Sequence, residues 1–331
     1  MTKRTIWKLL WRHYRTLLLS VIGIQILVGI REGITVLEYR LIPRGGFTFA
    51  SVSGWRLAAA ALIFFAVGLA VFLMDTSTHF NQYLFSLPVA RRKIFRVKMG
   101  LIAASLVSGY LLMEVAYGLV INNRLAKYHA YWDWSVAWKL ELVQLSMLLA
   151  LSLLGMTFGL WLGHLLAGVI FGTGFACSLV FAYDALNRLV AAALGVSVNQ
   201  ARWLESIDAR YWPGLVLAVG LLWLVSVGLY GLDAWAFDHL SLENDQEFFR
   251  FPSLRPVALW FSIIYLMITI SCSQFGLGLL QLLTNQYYEV MPLSLGIVMA
   301  VLVGYGTWGL GRWFLYRPDH FRRAWTMKKI S

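Results

Sequence analysis

The sequence predicts an all-α fold, a polytopic bundle of transmembrane helices, and three observations carry that reading. Hydrophobic residues fill 60% of the 331 positions, while Lys, Arg, Asp and Glu together reach only 13%. A soluble domain carries about a quarter charged residues, because its surface faces water. Charge-poor apolar runs recur along the chain, and about 20 such residues suffice to cross roughly 30 Å of hydrocarbon as a helix. Lys and Arg cluster between those runs, and the fifteen Trp, fifteen Tyr and twenty Phe suit belts at the headgroup level. The net charge of +12 sits in these clusters. In a membrane protein such clusters mark cytoplasmic ends, so they give no reason to expect nucleic-acid binding.

The chain opens MTKRTIWKLLWRHYRTLLL. No small-residue cleavage motif follows at a signal-peptide distance. Residues 1–15 are therefore expected to form a basic amphipathic helix on the inner membrane face. Ile6, Leu9, Leu10 and Trp11 would dip into lipid, with Lys8, Arg12 and Arg15 toward water.

Eight spans are predicted, at about residues 16–36, 56–75, 99–121, 142–163, 166–184, 212–233, 257–280 and 291–312. The first must accommodate Arg31 and Glu32 by snorkelling or mutual pairing. The second is the run LAAAALIFFAVGLAVFLM between Arg56 and Asp75. Only Glu114 interrupts the apolar stretch between Lys98 and Arg124. From Leu142 to Tyr183 the one ionisable imidazole is His164, and the tight connection at 163–166 predicts an antiparallel hairpin of spans four and five.

Orientation follows the basic residues near span ends. Lys3, Arg4, Lys8, Arg12 and Arg15 precede span one, Arg91, Arg92, Lys93, Arg96 and Lys98 precede span three, and Arg312, Arg317, Arg322, Arg323, Lys328 and Lys329 follow span eight. An even number of crossings puts all three clusters in the cytoplasm. Both termini, with a basic tail at 313–331, are then expected inside, in a cell membrane of the bacterial cytoplasmic kind. The acidic segment 237–256 also falls inside, where Asp and Glu weigh little.

Gly155, Gly159 and Gly163 recur every four residues, as small residues do where helices approach closely. Gly168 and Gly172 repeat that spacing, and Gly296, Gly304, Gly306, Gly309 and Gly311 enrich the last span. Such faces fit intramolecular packing first and a dimer or moving contact second. Glu114 is the acidic residue predicted deep within a span. An intramembrane carboxylate faces a bundle interior or a wet path, so it serves a structural pair or substrate passage and gating. Asp184 and Arg188, one turn apart, are expected to pair locally. Cys177 and Cys272 lie in apolar runs and read as small core residues.

The loop between spans two and three is the most informative segment, MDTSTHFNQYLFSLPVARRKIFRVKMG at 74–100. Asp75, Thr76 or Ser77 can cap a new helix. Phe80, Tyr83, Leu84 and Leu87 then share one apolar face at i, i+3, i+4, i+7 spacing. Pro88 ends that helix near Leu87, for it lacks an N–H and restrains its predecessor. A face of this kind needs lipid or a protein groove.

The run LFSLPVARRKIFRVK at 84–98 resembles the cytoplasmic loop of the ABC-2 family of ATP-binding-cassette permeases, in which a small–leucine–proline–valine run precedes a basic pair. Leu84, Ser86, Leu87, Pro88, Val89, Arg91 and Arg92 carry the match, and the amino-terminal helix resembles that family's elbow helix. The resemblance covers residues 1–120. It implies a type V exporter-like bundle at 16–312 whose cytoplasmic loop, 75–98, holds a coupling helix at 78–87. Phe80, Tyr83, Leu84, Leu87, Pro88, Arg91 and Arg92 would contact a separate ATPase. A second permease subunit, identical or related, and membrane lipids would be the other partners. The family commonly has a Glu- and Gly-containing run ahead of this helix and six spans, whereas this chain has DTSTHFNQY and eight predicted spans.

No G-x-x-x-x-G-K-[ST] phosphate loop, H-E-x-x-H or G-x-S-x-G run occurs, and the six histidines are scattered. The chain is thus expected to be no enzyme and to hold no cofactor or metal. ATP and Mg²⁺ would belong to the partner. The function expected is an ATP-driven permease subunit exporting an amphiphilic or peptide-like cargo. The competing readings are an ion-coupled secondary transporter and a non-transporting scaffold or sensory subunit.

Overall fold

A computed structural model of the chain describes residues 3–38, 45–47, 54–125, 127, 129–195, 197–198, 207–240, 248–286, 293–316 and 321–326. Among them are eight helices long and apolar enough to cross a membrane, so the chain is helical and fits a multi-pass membrane protein. It divides into two compact units, Met1–Trp161 with Ile207–Leu242, and Leu162–Ser206 with Glu243–Ser331.

The first unit begins with α1 (Lys3–Glu38), one unbroken helix of 36 residues and about 54 Å at 1.5 Å per residue. Its first fifteen residues are therefore not a separate element lying along a surface. Ile6, Leu10, Tyr14 and Leu18 are buried at i+4 spacing, and Val21, Gln25, Gly29 and Gly33 continue the stripe. Ile6 and Leu10, expected in lipid, face protein instead. Lys8, Arg12 and Arg15 are exposed as expected. The stripe packs along α4 (Arg91–Leu125), and α2 (Gly54–Ser77) packs along α5 (Trp134–Trp161). Helix α7 (Trp212–Asp238) completes the unit, resting on α5.

Glycine sets both crossings. A Cβ on Gly29 would enter the Met113 carbonyl, and one on Gly33 would lie 2.8 Å from Val120. On the other pair, Gly155 and Gly159 sit against the backbone of Phe65 and Leu69, while Gly68 faces the Ser152 carbonyl. Two members of the predicted glycine series therefore do bring helices close. Gly163 does not: α5 ends at Trp161, and the Gly163 N–H donates to the Phe248 carbonyl at 3.2 Å.

The all-α expectation misses a short parallel pair, β1 (Gly45–Phe47) with β2 (Ala130–Trp132), in register Gly46 to Tyr131. Val36, Tyr117, Ile121 and Leu125 form a buried cluster beneath it, with Trp132 packed on its edge.

In the second unit, α8 (Arg255–Cys272) packs on α6 (Leu165–Leu194) and on α10 (Leu293–Tyr316). Gly304 and Gly311 of α10 accept Met267 and Leu259 of α8. The predicted span 257–280 is broken. Extended Ser273 separates α8 from a short apolar helix, α9 (Gln274–Thr284). Asp184 pairs with Arg188 at 3.0 Å as expected, and also accepts the Gln274 N–H at 2.6 Å, which fixes the start of α9. A four-residue helix, α11 (Phe321–Ala324), ends the described residues, and Arg312 donates to the Thr326 carbonyl.

Helices α6 and α7 expose long apolar rows, among them Val216, Leu224 and Val227 on α7 and Leu166, Ile170 and Val180 on α6. Contiguous rows of this kind are unstable in water and comfortable in hydrocarbon.

Candidate functional site

The first unit contains the predicted loop and two buried ion pairs. The short loop helix is α3 (Phe80–Ser86), shorter than the 78–87 expected. Asp75, Thr76 and Ser77 do not cap it; they close α2. Thr76 and Thr78 donate their hydroxyls back to the Phe72 and Met74 carbonyls at 3.0 and 2.7 Å, a local bond that satisfies the helix end. His79, in the left-handed region at φ 54°, makes the corner into α3. At the other end Leu87 is extended ahead of Pro88, as the proline dictates.

The predicted apolar face of α3 is split. Leu84 is fully buried and Phe80 is half-buried, stacked on the His13 ring of α1 at 3.8 Å. Tyr83 is exposed, Leu87 half-buried and Pro88 exposed. Leu84 and Phe80 therefore seat the helix on its own chain, and Tyr83 with Pro88 remain outward. The opposite flank rests on α7, where Phe85 meets the buried Phe237 ring edge-on at 5.3 Å.

Arg91 and Arg92 are occupied too. Arg91 donates to the carbonyls of Asp238 and Leu240 at 3.0 and 2.9 Å and lies over the Phe85 ring. Arg92 pairs with the Asp238 carboxylate. Cations at the last carbonyls of a helix satisfy unpaired acceptors and its dipole, so this basic pair caps α7.

Beneath the loop, Asp75 and Lys98 form an ion pair with no exposed surface on either side chain. Tyr14 of α1 donates its hydroxyl to the same carboxylate, and His13 lies 3.7 Å from it. Lys98 also sits over the Phe72 ring at 3.7 Å. The charges that mark the two ends of the loop in the sequence thus lock α1, α2 and α4 together.

At the other end of α2, Arg56 meets Glu114 at 3.1 Å, both nearly inaccessible. Glu114 is therefore level with the first turn of α2 and not midway along it. The reason is the length of α4, which starts at Arg91 and has risen about 35 Å on reaching residue 114. Arg56 stacks over Tyr117 at 4.1 Å. Across a cavity of about 610 Å³ between α4 and α5 lies Glu141, which accepts the Tyr110 hydroxyl at 2.5 Å. Glu32 of α1 is buried as well. Glu141 carried no signal of its own in the sequence, because it precedes the apolar run of α5 and reads as a polar flank.

A second groove, of about 840 Å³, runs between α1 and α3 and is lined by Lys8, Arg12, Arg15, Trp11, His13 and Tyr83 among others. Among the described residues no group of three or more metal-ligating side chains is assembled. Comparison with protein-family models, with curated proteins and with solved structures gives no match to this chain.

Proposed function

We propose that this chain is the permease subunit of an ATP-driven transporter, related to the ABC-2 group, that takes its energy from a separate cytoplasmic ATPase through α3. The observation that carries the reading is a seven-residue helix held between two long apolar helices by a buried ion pair. Because Asp75 and Lys98 are wholly buried, displacement of α3 is passed to α2 and α4 as to one rigid piece. Such a connection suits a lever and is more than a simple turn requires.

Tyr83 and Pro88 provide the outward contact, and the basic groove with Lys8, Arg12 and Arg15 favours a partner with an acidic rim. Arg91 and Arg92 act on α7 and reach the partner only through it. Nucleotide-driven closure of paired ATPases would move α3, tilt α2 and α4, and open a path for an amphiphilic cargo beside a second permease subunit.

The test is affinity purification from native membranes in mild detergent, with mass spectrometry and an ATPase assay. Stoichiometric recovery of a Walker-motif protein, lost in Tyr83→Ala/Leu87→Ala while the variant stays monodisperse, supports the reading. Recovery of the intact chain without an ATPase rejects it. Unchanged attachment of the variant rejects the docking face.

One observation favours a second reading, an ion-coupled transporter: Glu114 and Glu141 share one cavity. Their level near a helix end is less suited to alternating access than a midplane site. Substrate-driven proton flux in proteoliposomes lacking ATPase would decide for it.

A further inference from the structure

Helix α7 is buried against its unit only near its two ends. Of its 27 residues, those buried are Leu215 near the start and Asp233, Ala236 and Phe237 near the finish. The second group is an aromatic seat, for Phe237 meets Phe72 of α2, Phe85 of α3 and Phe95 of α4 at 5.3–6.3 Å. One turn before Phe237, Asp233 directs a carboxyl group with no exposed surface toward α5.

That group has little to bind. Its Oδ1 lies 2.8 Å from the Thr157 hydroxyl, which also lies 3.0 Å from the Leu153 carbonyl. Its Oδ2 has no hydrogen-bond partner among the described residues. No cation among them stands within ion-pair distance of either oxygen. The facing stretch of α5, residues 150–161, contains no charged residue. On α4, Arg91 and Arg92 are committed to the end of α7 and Lys98 to Asp75 of α2, while Lys93 and Arg96 make no ion pair with Asp233. On α7 itself, Tyr230 packs on Phe95, Asp238 takes Arg92, and His239 bonds back to the Trp235 carbonyl.

The count of hydrogens then decides the protonation state. A hydroxyl has one hydrogen, so Thr157 cannot donate fully to both of its neighbours. An ionised Asp233 would be a buried anion with roughly four acceptor sites and one shared donor. Such a charge is strongly unfavourable without a cation. A protonated Asp233 resolves the geometry: it donates through Oδ1 to the Thr157 oxygen, and the Thr157 hydrogen goes to Leu153. Every hydrogen in that chain has an acceptor.

We propose that Asp233 is a proton-binding site, occupied while α7 is seated on α5 and emptied only when α7 lifts away. Proton release and separation of the two helices are then one event. The proton leaves to water past Asp238, about 7.5 Å further along the helix. Phe85 of α3 rests on the same seat, so the loop helix responds to the state of Asp233. The inference concerns the first unit alone and needs no ATPase, so it holds or fails independently of the coupling reading.

Infrared difference spectroscopy of the full chain in lipid, parent minus Asp233→Asn, tests the protonation state at neutral pH. The expected result is the carbonyl stretch of a protonated carboxyl, shifted in Thr157→Val because its hydrogen-bond partner is gone. Spin labels at Leu154 of α5 and Leu232 of α7, with Cys177 and Cys272 replaced by Ser, test the coupling. Their separation should be shortest where the acid is protonated and lengthen as pH rises through its titration. Asp233→Asn, uncharged at every pH, should keep the short distance throughout. A difference spectrum showing only an ionised carboxylate, or a protonated band unmoved in Thr157→Val, overturns the proposal. So does a distance that stays constant until the whole fold melts, or one that changes equally in Asp233→Asn.

Discussion

Arg56 of α2 faces Glu114 of α4 at 3.1 Å, and Asp75 of α2 answers Lys98 of α4 in the reverse sense. Each helix thus carries one base followed by one acid along the chain, the shared order that two antiparallel helices need if both ends are to match. From Arg56 to Asp75 is about 28 Å of helix, and from Lys98 to Glu114 about 24 Å. Both are close to the thickness of a hydrocarbon core. The charges lie where the apolar segment begins and ends, but turned inward.

Breaking one partner of the Arg56–Glu114 pair should be far worse than removing both. Arg56→Ala leaves a buried carboxylate uncompensated, a loss of about 3–5 kcal/mol, whereas Arg56→Met with Glu114→Leu should stay within about 1–2 kcal/mol of the parent. Thermal unfolding in detergent, run as a double-mutant cycle, measures this. Equal losses in the single and double variants would show that the pair contributes nothing specific.

The glycines separate into required and indifferent ones. Gly155→Leu should weaken the α2–α5 crossing by several kcal/mol, because the new side chain meets the Phe65 and Leu69 backbone and not a movable side chain. Gly220→Leu and Gly228→Leu on α7 have nothing within 4 Å of the added Cβ and should express and melt as the parent does. A similar melting point for all three variants would contradict the crossing.

Much of the architecture was legible, and the omissions have physical reasons. Apolar runs of span length are written in composition, so eight long helices could be read directly. Charge alone divides the sequence at Thr16, and charge is no helix breaker: no proline lies between Lys3 and Glu38, so α1 runs on unbroken. The break at Ser273 has no Pro or Gly beside it and rests on Asp184 holding the Gln274 N–H. Asp75 and Lys98 were visible as ends of the loop, but nothing local says that such residues fold inward. The β1–β2 pair and the Glu114–Glu141 cavity join segments that only tertiary packing brings together.

Arg91→Ala should loosen the end of α7 without disturbing the remaining spans. Two charge-assisted bonds to the Asp238 and Leu240 carbonyls are lost, worth about 1.5–3 kcal/mol each before water replaces them. Arg91→Lys keeps the charge but not the fork, and should fall between. Hydrogen exchange over residues 230–240 is the measurement. Exchange confined to α3 and absent from α7 would sink the capping role.

Cys177 offers a test of the membrane reading with a native probe. It is exposed in the middle of α6, among Ile170, Phe171, Val180 and Phe181. In water such a thiol would react freely, whereas in hydrocarbon neither the thiolate nor a polar reagent is stable there. In membranes, with Cys272 replaced by Ser, a water-soluble maleimide should leave Cys177 unmodified, and detergent denaturation should make it react completely. A cysteine at Tyr83, exposed on α3, should react in membranes opened on the α3 side. Rapid labelling of Cys177 in intact bilayers would mean that the apolar face of α6 meets water, and α6 could not then be a span.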